Sequence, residues 1–261
     1  MKRCSIWLVV LPFWALSAYA GMITLGTAGS FAVLAGSTVT NTGNTVLTGG
    51  LGVYPGTAIT GFPPGSVNGT ISDGDAVAAA AQNYVTTAYG ALAGLPADQT
   101  LTGENLGGLT LLPDVYFFSS SAQLTGTLTL NAEGLSDQVF VFQIGSTLTT
   151  ASASSVVLIN PGADDSVYWQ VGSSATLGTT TAFYGNILAD QSITLTTGAT
   201  ITCGSALAEN GAVTMDTNTV STAGCESAAG SGVPEPGTVP LFSTGLLALI
   251  WYGWQLRKRV A

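Results

Sequence analysis

Residues 185–201 (GNILADQSITLTTGATI) and 204–220 (GSALAENGAVTMDTNTV) are two lines of one repeat with a period of 19 to 20 residues. Within each line, apolar residues alternate with Thr and Ser, which is the period-2 pattern of a strand with one buried face. A unit this short cannot bury its apolar side alone, whereas stacked units share a continuous core. The pattern predicts a β-solenoid in which Ile193 stacks on Val213 and Leu195 on Met215, with threonines facing outward.

The distribution of charge excludes several classes of function. The 261-residue chain is 7% charged with a net charge of −9, and its basic residues are confined to the two ends: Lys2, Arg3, Arg257, Lys258 and Arg259. The absence of cations between the ends argues against nucleic-acid binding, which requires phosphate neutralisation. The absence of histidine removes the usual base of Ser and Cys nucleophiles and the commonest metal ligand, so we expect no metal and no cofactor.

Residues 1–20 have the organisation of a secretory signal peptide. A basic start is followed by the apolar residues 6–16 and an Ala18-Tyr19-Ala20 cleavage site, which predicts a mature protein that begins at Gly21. Removal of the signal leaves two cysteines, Cys203 and Cys225. Export permits a disulfide between them, and two buried thiols are the alternative.

The C-terminus has the features of a second targeting signal. A linker at residues 227–232 precedes Val233-Pro234-Glu235-Pro236, an apolar run at 240–256 and the basic cluster Arg257-Lys258-Arg259. Over residues 233–261 this order resembles the PEP-CTERM sorting signal of Gram-negative bacteria. The resemblance implies a short transmembrane helix in the precursor, processing by an exosortase, and a product held at the surface or released. A plain membrane anchor is the alternative.

One segment between these two signals has helical periodicity. Ser72 and Asp75 have the spacing of a capping box before an Ala-rich run, and Gly94 predicts the end of the helix. The residues expected on the buried stripe are Val77, Ala81, Tyr84, Ala88 and Leu92. We therefore predict one long helix at about residues 73–93 that lies along the stack and covers an apolar side.

Several separated motifs identify a family. The stretches GSTVTNTGNTVLTGGLGVYPGTAITGFPPG, VFVFQIG, VYWQVG and SATLGTTTAFYGNILADQSITLTTGAT, together with the Ala-rich helix, resemble the ice-binding (antifreeze) proteins of cold-adapted bacteria, fungi and algae. The resemblance implies a mainly β fold over residues 21–226: a right-handed discontinuous β-solenoid of triangular section with one long flanking α-helix. The implied activity is adsorption to ice, with thermal hysteresis, inhibition of ice recrystallisation, or both.

The resemblance also implies a threonine-bearing ice-binding face. Some family members carry T-A/G-x-T/N motifs there, and the same pattern occurs here at residues 42–45, 57–60, 102–105 and 197–200, of which the third contains the charged Glu104. Threonines in Thr-x-Thr spacing also occur at 38/40, 125/127/129, 147/149 and 194/196. Together with the Thr-x-Thr pair of the repeat, the three uncharged motifs give the candidate ice-binding residues: Thr42, Thr45, Thr57, Thr60, Thr194, Thr196, Thr197 and Thr200. Threonine favours strands in general, so an exterior threonine on any face of the solenoid is the alternative explanation.

Two other classes of function remain open at this stage. An exported solenoid could be an adhesin or matrix module that binds polysaccharide. A solenoid lyase or hydrolase is disfavoured because the only acidic pair, Asp164-Asp165, falls in a predicted turn and no basic residue is near it in sequence. We therefore expect a protein that is not an enzyme, and whose partner is an ice crystal surface.

Overall fold

The computed structural model describes residues 23–223, all of which lie in the compact unit Met1–Ser227. The predicted signal peptide, linker and sorting segment fall outside the described residues, and so does Cys225. Between residues 23 and 223, no helix combines the length and the apolar character needed to cross a membrane.

The described chain is mainly β, with 24 short strands numbered in chain order. They form three sheets, and every pairing is parallel. Sheet A contains, in stacking order, β7 (Ile71–Asp73), β4 (Gly50–Val53), β1 (Phe31–Ala35), β22 (Ala206–Ala208), β19 (Asn186–Ala189), β16 (Ser166–Val171), β13 (Val139–Ile144), β10 (Val115–Phe118) and β8 (Gln99–Thr100). Sheet B contains β11 (Ala122–Leu124), β14 (Leu148–Thr150), β17 (Ala175–Leu177), β20 (Ile193–Leu195), β23 (Val213–Asp216), β2 (Thr38–Thr42) and β5 (Ala58–Thr60). Sheet C contains β6 (Ser66–Asn68), β3 (Val46–Thr48), β24 (Thr219–Ser221), β21 (Thr200–Thr202), β18 (Ala182–Tyr184), β15 (Ser155–Ile159), β12 (Thr127–Asn131) and β9 (Thr110–Leu111).

From β1 to β7 and from β10 to β24, successive strands visit sheets A, B and C in turn, and each such set of three is called a coil here. The register confirms the sequence repeat, since Ile193 pairs with Val213 and Leu195 with Met215. The same apolar residues are fully or almost fully buried. The alternation of apolar and polar residues therefore places one side of each short strand in a shared core, as the pattern predicts.

The coils do not stack in chain order. β1 lies between β4 and β22, so the N-terminal coils stack on the last C-terminal coil rather than on the coil that follows them in sequence. The same junction joins β2 to β23 and β3 to β24. We call this junction the seam.

The single α-helix of the described residues, α1, spans Ala76–Ala93 and follows a 3₁₀ helix at Gly26–Ser30. Asp75 is its N-cap residue, and the carboxylate accepts hydrogen bonds from the backbone N–H groups of Val77 (3.0 Å) and Ala78 (2.8 Å). The capping assignment to Ser72 is wrong, because Ser72 belongs to β7 and its hydroxyl is buried. Gly94 is the C-cap, as predicted.

Helix α1 packs on sheet A, which confirms the predicted cover, but through a different stripe. Val77 is 53% exposed and Tyr84 40% exposed. The buried residues of the helix are Ala78, Ala81, Gln82, Val85, Ala88 and Leu92. The buried stripe is thus rotated by about one residue from the predicted one, and it includes a glutamine.

Candidate functional site

A row of threonines crosses the outer face of sheet B. The register aligns one threonine from each of six neighbouring strands, and we call this row the threonine ladder: Thr149, Thr176, Thr194, Thr214, Thr40 and Thr60. Adjacent strands lie about 4.8 Å apart, so the ladder extends over roughly 24 Å. The Thr214–Thr40 step crosses the seam, and the ladder continues without a shift in register.

Mostly small residues lie two positions before and after the ladder threonines. The earlier positions hold Thr147, Ser174, Ser192, Ala212, Thr38 and Ala58. The later positions hold Ala151, Gly178, Thr196, Asp216, Thr42 and Phe62. Within strands, side chains two positions apart lie on one face about 6.7 Å apart, and of these residues Thr38, Thr42, Ala58 and Asp216 lie within the strands of sheet B. The ladder itself is therefore the regular part of the face.

The ladder hydroxyls are open to solvent. Within residues 23–223, no protein atom hydrogen-bonds the side chains of Thr40, Thr149, Thr176, Thr194 or Thr214. Thr60 makes only a long bond to the carbonyl of Val39 (3.3 Å). β-branching restricts each side chain to few rotamers, so the array presents oriented methyl and hydroxyl groups at little cost in side-chain entropy.

The face is almost free of charge. Its one ionisable residue is Asp216, whose carboxylate accepts hydrogen bonds from the hydroxyls of Thr197 and Thr217. The described chain contains no Lys, Arg or His, so no ion pair forms within it. A regular hydroxyl-bearing array with a single carboxylate suits an extended uncharged partner that offers hydrogen-bonding groups at regular intervals.

The structure places the eight predicted site residues in different environments. Thr60 and Thr194 belong to the ladder, and Thr42 and Thr196 each lie two positions after a ladder threonine. Thr197 lies at the corner after β20, Thr57 lies in the loop before β5, and Thr200 begins β21 in sheet C. The candidate set therefore mixes one face with a corner, a loop and a neighbouring face.

Thr45 corrects the motif-based assignment. Its side chain is 0% exposed and donates a hydrogen bond to Asn41 Oδ1, so it is not part of an outer surface. The glycines in two of the motifs, Gly43 (φ 78°) and Gly198 (φ 72°), have the positive φ of a tight corner. The T-G-x-T pattern in this chain thus marks the turn from sheet B to sheet C.

The sequence motifs do not include Thr176 or Thr214, and they include Thr40 and Thr149 only as members of Thr-x-Thr pairs. A simpler sequence signal finds Thr176 and Thr214, namely a threonine between two apolar residues, as in Ala175-Thr176-Leu177 and Val213-Thr214-Met215. The triplet reflects the alternation of inward and outward side chains in a strand, whereas the four-residue motif marks the turn between two sheets.

The other two sheets are less suited to a regular partner. Helix α1 covers sheet A, where the outward residues Leu34, Leu188 and Leu207 join Ala81 and Val85 in a second apolar core. The outer face of sheet C mixes threonines with bulky apolar residues, which include Val46, Val157 and Ile159 at 37–43% exposure. These side chains differ in size from rung to rung, so this face is uneven.

Acidic side chains are the residues at which metal binding or acid–base chemistry would occur. Among residues 23–223, no group of three or more His, Cys, Asp or Glu is arranged to hold a metal ion. The acidic pair predicted in a turn has a structural role, because Asp165 is buried and accepts hydrogen bonds from the N–H groups of Gln138 (2.8 Å) and Gly162 (2.7 Å).

Comparisons with known proteins identify relatives over most of the described chain. The family model described as ice-binding-like matches residues 33–221. An ice-binding protein of Nostoc sp. (strain HG1) is 61% identical over 170 residues, 65% of this chain and 63% of the relative. One of Flavobacterium frigoris is 32% identical over 183 residues, 64% of this chain and 65% of the relative. The chain therefore spans less than two thirds of the length of these two relatives.

Solved structures give the same result. The crystal structure of an ice-binding protein from an Antarctic biological consortium matches with a TM-score of 0.73 and 50% identity, over 76% of this chain and 90% of that one. The ice-binding protein of the Antarctic ascomycete Antarctomyces psychrotrophicus matches with a TM-score of 0.72 and 42% identity, over 76% and 97% of the two chains.

Proposed function

The chain belongs to the ice-binding-like family, and from this premise we propose that it adsorbs to ice through the outer face of sheet B. Adsorption to the crystal would produce thermal hysteresis, inhibition of ice recrystallisation, or both. The observation that carries the proposal is the threonine ladder, six aligned rungs on a neutral face whose hydroxyls are almost all without protein partners.

The physical basis is a match between two regular surfaces. Ice offers neutral hydrogen-bonding groups at fixed spacings, so a rigid array gains many weak contacts at once. The parallel sheet fixes the rung spacing at about 4.8 Å, and the restricted threonine rotamers reduce the entropy lost on adsorption. Long hydrated cations, which would keep a layer of disordered water at the face, are absent from residues 23–223.

We infer the finer architecture from the same strand order. The three parallel sheets and the passage of the chain from A to B to C support a β-solenoid of triangular section, for which we propose the right-handed form. The seam supports the discontinuous type, in which N-terminal coils stack on the C-terminal one. Helix α1 would then connect the two ends of the stack along sheet A.

The proposed location is outside the inner membrane of a Gram-negative bacterium. The motifs at residues 1–20 and 233–261 support export followed by processing by an exosortase-type enzyme, with transient contact between the C-terminal segment and the membrane. No catalytic role is proposed, since the ladder offers no nucleophile with a base beside it.

The test is a bulky substitution on the ladder. We expect Thr194→Tyr to lower thermal hysteresis severalfold, because one large side chain holds the neighbouring rungs away from the crystal. The matched control is Thr86→Tyr, an exposed threonine of α1 on the far side of the molecule, which should retain full activity. Melting temperatures measured by circular dichroism should change little in either variant.

Three results are possible. Loss of thermal hysteresis in Thr194→Tyr but not in Thr86→Tyr supports the outer face of sheet B as the ice-binding surface. Equal activity in both variants would place the ice-binding surface elsewhere on the molecule. An unmodified protein without hysteresis or recrystallisation inhibition at micromolar concentration would overturn the proposal and favour an extracellular adhesin or matrix module that binds polysaccharide.

A further inference from the structure

A chain of buried polar side chains runs beneath the corner between sheets B and C. Its members are Asn218, Thr45 and Asn41, all at most 6% exposed, and we call them the corner network. Asn218 Nδ2 donates to the carbonyls of Thr196 (2.8 Å) and Ala199 (2.9 Å) in the coil on one side. Its backbone N–H donates to Thr45 Oγ1 (3.0 Å) in the coil on the other side.

The network continues from Thr45 to the end of the stack. Thr45 Oγ1 donates to Asn41 Oδ1, and Asn41 Nδ2 donates to the carbonyls of Gly43 (3.0 Å) and Gly61 (2.8 Å). Four consecutive coils are thus connected by side-chain hydrogen bonds. The Asn218–Thr45 step crosses the seam and joins residues 173 positions apart in sequence.

The bonded backbone groups lie next to the rungs of the ladder. Thr196, whose carbonyl accepts from Asn218, is two residues after the rung Thr194. Asp216, whose N–H donates to Asn218 Oδ1 (2.6 Å), is two residues after Thr214. Asn41 lies between Thr40 and Thr42, and Gly61 directly follows Thr60.

We propose that the corner network positions the ice-binding face, holding the four rungs Thr194, Thr214, Thr40 and Thr60 in one plane across the seam. This inference rests on the proposed function of sheet B. Its members are positioning residues, since they are buried and cannot touch a crystal. Apolar side chains at these places would leave the corner backbone groups without partners, and those groups could then shift independently in each coil.

Parallel strand pairing alone does not supply this alignment. The pairings fix which residues are neighbours, but a corner can still tilt each short strand relative to the next. The seam is the step most exposed to such tilting, because the coils of β2 and β23 lie at opposite ends of the described sequence, whereas β20 and β23 belong to consecutive coils. A fixed bond from Asn218 to Thr45 restrains that step from the corner side.

The experiment compares Thr45→Val with Thr45→Ser. Valine has nearly the same shape but loses both bonds of the hydroxyl, whereas serine retains them. We expect a severalfold loss of thermal hysteresis in Thr45→Val and near-normal activity in Thr45→Ser. The planes of a single-crystal ice hemisphere covered by fluorescently labelled protein should also be altered or weakly decorated for the valine variant only.

The control is Gln143→Leu, which also removes two buried hydrogen bonds, from Gln143 Nε2 to the carbonyls of Leu92 (2.7 Å) and Leu95 (2.9 Å). These bonds lie beneath helix α1, away from the corner network. Both variants are measured near 0 °C after circular dichroism shows that they are folded. If Thr45→Val loses no more hysteresis than Gln143→Leu does at a similar loss of melting temperature, the network has only a general structural role and the inference is overturned.

Two further outcomes separate this inference from the function on which it rests. Sensitivity to Thr194→Tyr with indifference to Thr45→Val would remove the inference and leave the ice-binding face in place. An inactive unmodified protein would remove both. Should Thr45→Val fail to fold, Asn41→Ala provides the comparison. It removes the links from Asn41 to Thr45, Gly43 and Gly61 while the Asn218–Thr45 bond remains, and it carries the same expectation of lost hysteresis.

Discussion

Gln82 is a polar residue that the fold buries at the interface between α1 and sheet A. It is 7% exposed, and its Nε2 donates to the carbonyls of Ala208 (2.9 Å) and Glu209, at the end of β22. Gln143 has the equivalent role at the other end of the helix. These two amides therefore orient α1 on the stack, while the alanines allow the close approach.

This geometry reverses the effects expected from the sequence. We predict that Gln82→Asp lowers stability by at least about 2 kcal/mol, because a carboxylate would face two carbonyl oxygens in a buried position. Tyr84→Asp should cost much less, since Tyr84 is 40% exposed. Thermal unfolding of both variants checks the assignment, and a larger loss in Tyr84→Asp would mean that the helix packs through the other stripe.

Asp114 gives a pH-dependent prediction. Desolvation by burial, and then its proximity to Asp98, raise the pKa of Asp114 above its usual range. A raised pKa in the folded state means that the folded protein binds this proton more tightly than the unfolded chain does. Protonated Asp114 therefore stabilises the fold at low pH, and this contribution is lost as the pH rises through the folded pKa. Charged Asp114 therefore destabilises the fold at neutral pH.

We accordingly expect Asp114→Asn to raise the melting temperature at pH 7. The gain should shrink as the pH falls through the raised pKa of Asp114 toward the ordinary aspartate value of about 3.9, below which no gain remains. Glu104→Gln, at an exposed carboxylate, is the control for the general loss of one negative charge. A gain that does not depend on pH would show that the effect arises from packing rather than from protonation.

The residues that could be predicted are those governed by strand alternation. Ile193 and Leu195 were placed correctly because an apolar residue in a period-2 pattern has only one side to occupy. Val77 and Tyr84 were misplaced because alanines occupy every side of this helix and leave its apolar stripe poorly defined. Thr45 was misplaced because a corner and a strand both use threonine and glycine.

At the scale of secondary-structure elements, the N-cap of α1 makes a contribution to stability that a single substitution can measure. Asp75→Ala removes the acceptor of two N–H groups, and we expect a loss of about 1 kcal/mol. For a folded region of this size, that corresponds to roughly 2–4 °C in melting temperature. Asp73→Ala, at the exposed end of β7, removes the same charge without the cap and should have a much smaller effect. Equal shifts would contradict the capping assignment.

The order of the coils could not be read from local sequence. The similar apolar runs VFVFQI and VYWQV form the neighbouring strands β13 and β16, in which Gln143 pairs with Gln170, so this pairing follows from local sequence. The seam cannot be predicted in this way. Every coil has similar backbone hydrogen-bonding groups at its edge and similar small side chains, so the local sequence does not show which coil is its neighbour. The contacts that favour β22 as the neighbour of β1 join residues far apart in sequence. They include the packing of α1 on sheet A and the buried hydrogen bond between Asn218 and Thr45.

For the molecule as a whole, the charge distribution predicts an unusual response to salt. Residues 23–223 contain acidic groups and no cations, so screening can weaken only repulsion and no ion pair is lost. We expect the melting temperature at pH 7 to rise modestly between low and physiological ionic strength. A fall in melting temperature would contradict this picture of the electrostatics.

The last prediction concerns the C-terminal coil, on which the N-terminal coils stack at the seam. Cys203 is buried and disulfide-bonded, and we expect its partner to be Cys225, which lies outside the described residues. That bond would close a loop of about 22 residues around β22–β24, the coil on which the N-terminal coils stack, and in the chain-entropy model it would stabilise the fold by about 3 kcal/mol.

Reduction should therefore lower the melting temperature and, by loosening the coil that carries Thr214, also lower hysteresis. A variant with both Cys203→Ser and Cys225→Ser should show the lower melting temperature at once and no response to reductant. Thiol labelling of the unreduced exported protein provides the direct measurement. Two reactive thiols would rule out the pairing, and the seam would then depend on its hydrogen bonds and apolar contacts alone.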